Sequence, residues 1–349
     1  MADRRGLHPG AWWIWALGLA TAASHTTNPL LLGLLIAVAG LVVAARRGSA
    51  PWAAGFRWYL LVAGIVLVSR VVFRALTAGD GPTVVLDLPG LDLPGNITVL
   101  GPISAEALVA GFYDGLRLAA LIVCVGAANS LADAKRLLAA APPALYEVGT
   151  ALVVSVSVFP QIIESAGRVR RARSLRGEPA SRRHLLREVV VPVLNEALDR
   201  SLQLAASMDS RGYGRSADGR GRRLTAVLLV AGLLGIAVGV YALLDATSPA
   251  YLGTPVLVAG LVIGLFGFVR AGSRVRRTRY RPQPWAAAEY SVAGAGVVAA
   301  AAVLATDSSV LYPTANPLVW PTLAVLPVLG LLVAALPAVL APAPRMVPA

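Results

Sequence analysis

The stretch LTAVLLVAGLLGIAVGVYALL, residues 224–244, contains no charged side chain. As a helix it has the roughly 20 residues needed to cross a hydrocarbon core of about 30 Å. The composition agrees with a membrane setting: of 349 residues, 57% are hydrophobic and only 14% charged, and the mean hydropathy is +0.70. These values lie far from those of a soluble domain. The chain therefore reads as an integral membrane protein.

Working outward, four apolar stretches precede this one, at residues 11–23, 29–45, 58–76 and 104–128, and three follow it, at 251–269, 285–305 and 318–340. The first is short and opens on Trp12, Trp13 and Trp15. Basic residues orient the set, because cytoplasmic flanks collect Lys and Arg. Arg4 and Arg5, then Arg46, Arg47 and Arg57, then the segment 135–223, then the run from Arg270 to Arg281 fall on alternate sides. The opposite loops, 24–28, 77–103, 245–250 and 306–317, hold no Lys or Arg. Both termini and the basic loops are thus expected in the cytoplasm. The pattern works only if the first span stays in the mature chain, so reading MADRRG and the following apolar stretch as a cleaved signal peptide ranks second.

The expected fold is an all-α integral membrane protein of about eight transmembrane helices, with a cytoplasmic helical segment between spans four and five. Residues 1–128 hold the first four spans, 129–223 the cytoplasmic segment, and 224–349 the last four spans and a cytoplasmic tail. The net charge of +13 and pI near 10.9 belong to the membrane flanks, and nucleic acid is not an expected partner.

Enzymatic chemistry finds no foothold. Cys124, His8, His25 and His184 are too scattered for a disulfide or a multi-ligand metal site. The only lysine, Lys135, follows no glycine-rich loop, so there is no P-loop. Spacing singles out no His-Asp-Ser set and no carboxylate pair. The reading is a non-enzyme with no cofactor or metal of its own.

The segment 129–223 is too long to be a mere connection and should carry its own structure. Residues 131–141 read as a short helix closed by Pro142 and Pro143. Leu145, Val148, Leu152, Val156 and Phe159 then fall at helical spacing until Pro160, where a kink is expected. The apolar core 151–159 is too short to span but long enough to dip into the bilayer. Beyond it Ile163, Ala166 and Val169 resume the pattern while Arg168, Arg170, Arg171, Arg173 and Arg176 accumulate, and Gly177 and Pro179 are stop signals. A second helix is marked by Val191, Leu194, Leu198, Leu202, Ala205 and Met208, with Pro192 in its first turn, and stops at Arg211-Gly212.

Both helices thus end in Arg-Gly. As a structural device, glycine supplies the left-handed C-terminal turn and arginine complements the helix dipole, for roughly 0.3–1 kcal/mol. As a functional device, each arginine is a planar, permanently charged fork presented to a partner's carboxylates or carbonyls. Two such tips on one chain suggest two equivalent receptor sites.

On these residues the chain resembles the transmembrane T component of energy-coupling factor (ECF) transporters, ABC-type importers of vitamins and metal ions in prokaryotes. That family carries a small residue, Arg and Gly at the ends of two cytoplasmic coupling helices. Ser210-Arg211-Gly212 matches in full; Leu175-Arg176-Gly177 keeps Arg and Gly but has Leu in the small position. The alternative frame Ala172-Arg173-Ser174 lacks the glycine. His8-Pro9 and Asn28-Pro29 are similar to the way family members open their first two spans, so the resemblance reaches from about residue 7 to residue 245. Spans six to eight lie outside it. The resemblance implies that each Arg-Gly tip docks on one of two ABC-type ATPase subunits. Their ATP-driven closing would pass to a separate substrate-binding membrane (S) subunit, for vitamin or cobalt/nickel uptake across the plasma membrane.

The alternative is a self-sufficient secondary transporter, which needs ionisable groups deep in the membrane. Arg70, Arg74, Asp114 and Arg117 are its candidates. Their structural explanation is that Arg70 and Arg74 snorkel from a span end while Asp114 and Arg117 pair at i, i+3.

Overall fold

The computed structural model describes residues 7–48, 55–77, 81–87, 89, 91–93, 97–99, 101–140, 143–175, 189–212, 222–245, 247–249, 251–273 and 285–342. They fall into two compact units, Met1–Leu137 with Pro282–Ala349, and Leu138–Arg281.

The first unit opens with α1 (Pro9–Ser24) and α2 (Pro29–Arg46). The His-Pro and Asn-Pro pairs are their start signals. His8 Nδ1 accepts from Gly10 N–H at 3.1 Å, and Asn28 Oδ1 accepts from Leu30 N–H at 3.0 Å. Each proline sits in the first turn, where its missing N–H has no helical partner to lose. After α3 (Phe56–Leu76) the loop holds four short strands, β1 (Val84–Leu86), β2 (Leu91–Leu93), β3 (Ile97–Val99) and β4 (Ile103–Ser104). β1 pairs antiparallel with β4, and β2 with β3. These pairings are the only β structure among the described residues.

Next come α4 (Ala105–Leu131), capped by Ser104, and the short α5 (Ala134–Ala139), so the helix expected over 131–141 is split at 132–133. The second unit supplies α6 (Tyr146–Leu175), α7 (Val191–Ser210), α8 (Arg222–Leu244) and α9 (Thr254–Ser273). The chain then re-enters the first unit as α10 (Ala287–Leu304), α11 (Ser308–Leu311), α12 (Val325–Val333) and α13 (Pro337–Leu340).

α1 is the axis of the first unit. Nine of its 16 residues are buried, among them Trp15 and Leu19, and it packs against α4 and α10. At the α1–α10 crossing Gly18 and Gly296 oppose each other, and a Cβ on either would strike backbone of the other helix. This is the small-residue route to close helix packing in membranes. α2 packs on α4, α12 and α13, and α10 packs on α12. The last two apolar stretches are therefore part of the N-terminal helices' core.

In the second unit α8 and α9 form a hairpin with glycines along its seam. A Cβ on Gly232 would come within 2.5 Å of Gly264 Cα, and one on Gly260 within 2.5 Å of Ile236 N. Outside this seam Leu233, Leu234, Leu261, Leu265 and Phe266 are exposed, as residues that face lipid would be.

Seven described helices are long and apolar enough to cross a membrane, namely α2, α3, α4, α6, α8, α9 and α10. The chain is an all-α, multi-pass membrane protein. Three expectations change. The first span, α1, rises only about 24 Å at 1.5 Å per residue, less than a hydrocarbon core, and is shielded by other helices. The eighth span, expected over 318–340, is broken: 318–324 are not helical, and α12 and α13 are separated by a turn. Pro321 and Pro337 cannot donate to a continuous ladder there. Finally, α6 runs through Pro160, so the helical stretch Val148–Ala172, and not 151–159 alone, is long and apolar enough to span.

Candidate functional site

The sequence singled out two helix tips. α7 owes its exposed helical row to Leu194, Leu198 and Leu202 at i, i+4 and i+8, and it ends at Ser210. Arg211 is the C-cap; its N–H donates to Met208 O at 3.1 Å, and Gly212 N–H donates to Asp209 O at 2.9 Å. Gly212 has φ +77°, the left-handed value that costs a Cβ-bearing residue strain. The two residues divide the labour. Gly212 turns the chain, while the exposed Arg211 side chain makes no hydrogen bond or ion pair among the described residues.

At the other tip, Leu175 is the last residue of α6 and 88% exposed. Arg176 and Gly177 lie outside the described residues. Ala172-Arg173-Ser174 is inside the last turns of α6, with Ser174 Oγ donating to Arg171 O at 2.8 Å, so that frame is helix interior. Arg168, Arg170 and Arg171 are exposed and give this end of α6 a strong positive charge.

Sequence reasoning missed what joins the two helices. Glu196 on α7 receives hydrogen bonds from three side chains. Ser165 Oγ donates to Glu196 Oε2, Arg168 Nη2 donates to Glu196 Oε1 at 2.8 Å, and Arg200 Nη2 donates to the same oxygen at 3.1 Å. Arg200 Nη1 also donates to Gln161 Oε1 at 2.9 Å, back across to α6. Ser165 is only 3% exposed, and Val193 of α7 is buried against the same patch. The Glu196 carboxyl is held below its ordinary value of 4.5, first by the Ser165 hydroxyl and then by the Arg168 and Arg200 charges. The i, i+4 spacing of Glu196 and Arg200 was visible in the sequence; the cross-helix partners were not.

Residue 161 pairs with 200 and residue 168 with 196, so the helices meet in an antiparallel sense. Their C-terminal ends leave the joint in different directions. At 1.5 Å per residue, Leu175 lies about 15 Å beyond Ser165, and Arg211 about 22 Å beyond Glu196.

Of the four candidate charges in the apolar helices, Asp114 and Arg117 are placed differently than expected. Asp114 and Arg117 do not pair; Arg117 Nη2 donates to the carbonyl of Ser24, at the end of α1. Arg70 and Arg74 are exposed on α3, with their stems against Gly115 and Gly111 of α4. Among the described residues no group of three or more His, Cys, Asp or Glu is arranged to hold a metal ion.

Apolar helices of spanning length, together with the exposed pair α6 and α7, make the chain a multi-pass membrane protein. More narrowly, the chain belongs to the CbiQ cobalt transport protein family, whose model matches residues 4–225, well over half its length. The match covers α1 to α7 and both Arg-Gly tips, and stops near the start of α8. No individual curated protein matches the chain.

Proposed function

We propose that this chain is the coupling subunit, the T component, of an energy-coupling factor importer in the plasma membrane of a bacterium. The tips Leu175-Arg176-Gly177 and Ser210-Arg211-Gly212 each dock on one of two ABC-type ATPase subunits. α6 and α7 carry the closing of those ATPases to a substrate-binding membrane (S) subunit, which holds a vitamin or a cobalt or nickel ion. The chain itself does no chemistry; its work is mechanical.

One observation carries this reading. Arg211 is presented at the end of a 20-residue helix, exposed and without an intramolecular partner among the described residues, by a glycine turn that positions it without using its side chain. A guanidinium so placed is available for bidentate contact with a carboxylate or carbonyl pair of another subunit. Expression with the neighbouring ATPase genes and affinity capture of this chain tests it. The parent is expected to bring down ATPase subunits in a ratio of two per chain, and the Arg176→Ala, Arg211→Ala double variant to lose them. Equal capture by parent and double variant would refute the docking role.

A further inference from the structure

Taken over the described residues, α6 and α7 touch only along one short patch. Its apolar part is small, Val158 and Ile162 of α6 against Val193 and Ala197 of α7. Most of the remaining apolar surface of these helices, including Leu152, Phe159, Leu198 and Leu202, is exposed rather than packed between them. What fixes the crossing is polar. Glu196 ties Ser165 and Arg168 of α6 to Arg200 of its own helix, and Arg200 returns to Gln161. The three α6 members fall at positions 161, 165 and 168, one helical face immediately after Pro160. Pro160 lacks the N–H that would bond the Val156 carbonyl, so the α6 ladder is one bond weaker just before the joint.

We propose that Glu196 is a positioning residue that sets the crossing of α6 and α7, so that the Leu175 and Arg211 ends move as one body. The proposal rests on the coupling reading for its consequence, but its geometry stands on this chain alone. Charge-assisted hydrogen bonds to one carboxylate are directional and strong for their size, and here they run to both helices. Without the carboxylate, Arg168 and Arg200 repel each other across a small apolar patch, and the two tips lose their common frame.

The test measures the tips and the coupling separately. Spin labels are attached at Ser174→Cys and Ser207→Cys in a Cys124→Ala background, in the full chain assembled with its ATPase and S partners, and the distance between them is recorded by pulsed electron resonance. The parent should give one narrow distribution. Glu196→Ala should broaden it, Glu196→Gln, which still accepts hydrogen bonds, should broaden it less, and Arg168→Ala should resemble Glu196→Gln. ATP-driven uptake per captured ATPase should fall in Glu196→Ala by roughly 5- to 150-fold, the usual range of a lost coupling energy, while ATPase capture is unchanged. An unaltered distribution in Glu196→Ala and Glu196→Gln overturns the proposal, and so does a broadened one with undiminished uptake per ATPase. If Glu196→Ala fails to assemble, Glu196→Gln and Arg168→Ala decide by the same two measurements. Failure of the docking reading is separately visible, as ATPase capture that survives the loss of Arg176 and Arg211.

Discussion

Trp15 donates its indole Nε1–H to the carbonyl of Ala334 at 3.0 Å, a bond between residues 319 positions apart. Trp15 is completely buried and Ala334 follows the last residue of α12, so one hydrogen bond ties the first helix of the chain to one of its last. Asn28 makes the same kind of tie at the other end of α1's hairpin. Its amide donates to Val310 O at 2.9 Å and Thr322 O at 2.8 Å, while Thr26 Oγ1 donates to Leu311 O at 2.8 Å.

Trp15→Phe keeps most of the buried ring and leaves the Ala334 carbonyl unpaired, a loss of about 1–3 kcal/mol. Trp15→Ala adds a cavity and should cost about 3–5 kcal/mol. Thermal unfolding of the purified chain in detergent should rank parent, Phe and Ala in that order.

Gly260→Leu drives a side chain into the backbone of α8 near Gly235 and Ile236. The hairpin of α8 and α9 should splay, and limited proteolysis should cut between them faster than in the parent. Gly294 is the control, because a methyl group there would meet no atom within 4 Å, and Gly294→Ala should change nothing.

Glycine and arginine at the α7 tip separate by substitution. Gly212→Ala places a Cβ at φ +77° and should cost about 1 kcal/mol of stability with ATPase capture retained. Arg211→Ala should leave stability nearly unchanged and weaken capture, with Arg211→Lys restoring only part of it because the planar fork is gone. The reverse pattern, capture lost with Gly212 and kept without Arg211, would make the tip a simple helix cap.

The joint at Glu196 should depend on pH with a defined sign. Its carboxyl is held below the ordinary value of 4.5, so its contribution is present in full above that value and disappears as pH falls through the depressed one. The tip-to-tip distance distribution should be narrow at neutral pH and broaden only in the acid range below 4.5, and Glu196→Gln should abolish the transition.

Topology follows from the basic loops. Val85→Cys on β1 should react with an impermeant thiol reagent from outside, and Ser174→Cys and Ser210→Cys only from inside. Labelling of Ser174→Cys from outside would mean that α6, which is long and apolar enough, crosses the membrane.

Much of this architecture was legible because hydropathy and caps are local. The stretches 29–45 and 58–76 became α2 and α3 with shifts of no more than a turn, and His8-Pro9 and Asn28-Pro29 became helix starts. The end of α7 was equally readable, since Gly212 fulfils a local backbone need. What escaped was set by partners distant in sequence. Nothing near Glu196 announces Ser165 or Gln161, and nothing near Asp114 and Arg117 announces that Arg117 turns to Ser24 rather than to its i−3 neighbour. The eighth stretch misled because hydropathy sums apolar residues without asking whether each can donate to a ladder, and the prolines there cannot.

The burial of α1 against α4 and α10, with Trp15 bonded to Ala334 just beyond α12, sets an order of events. A ribosome finishes α1 long before it makes α10 or α12, so this short apolar helix must wait in the membrane without the surfaces that shield it, and loop closure over nearly the whole chain comes last. Until then Trp15 has no acceptor at Ala334 and Gly18 no glycine to lie against. A chain interrupted anywhere before α12 would therefore be left open at its centre, not merely short at its end.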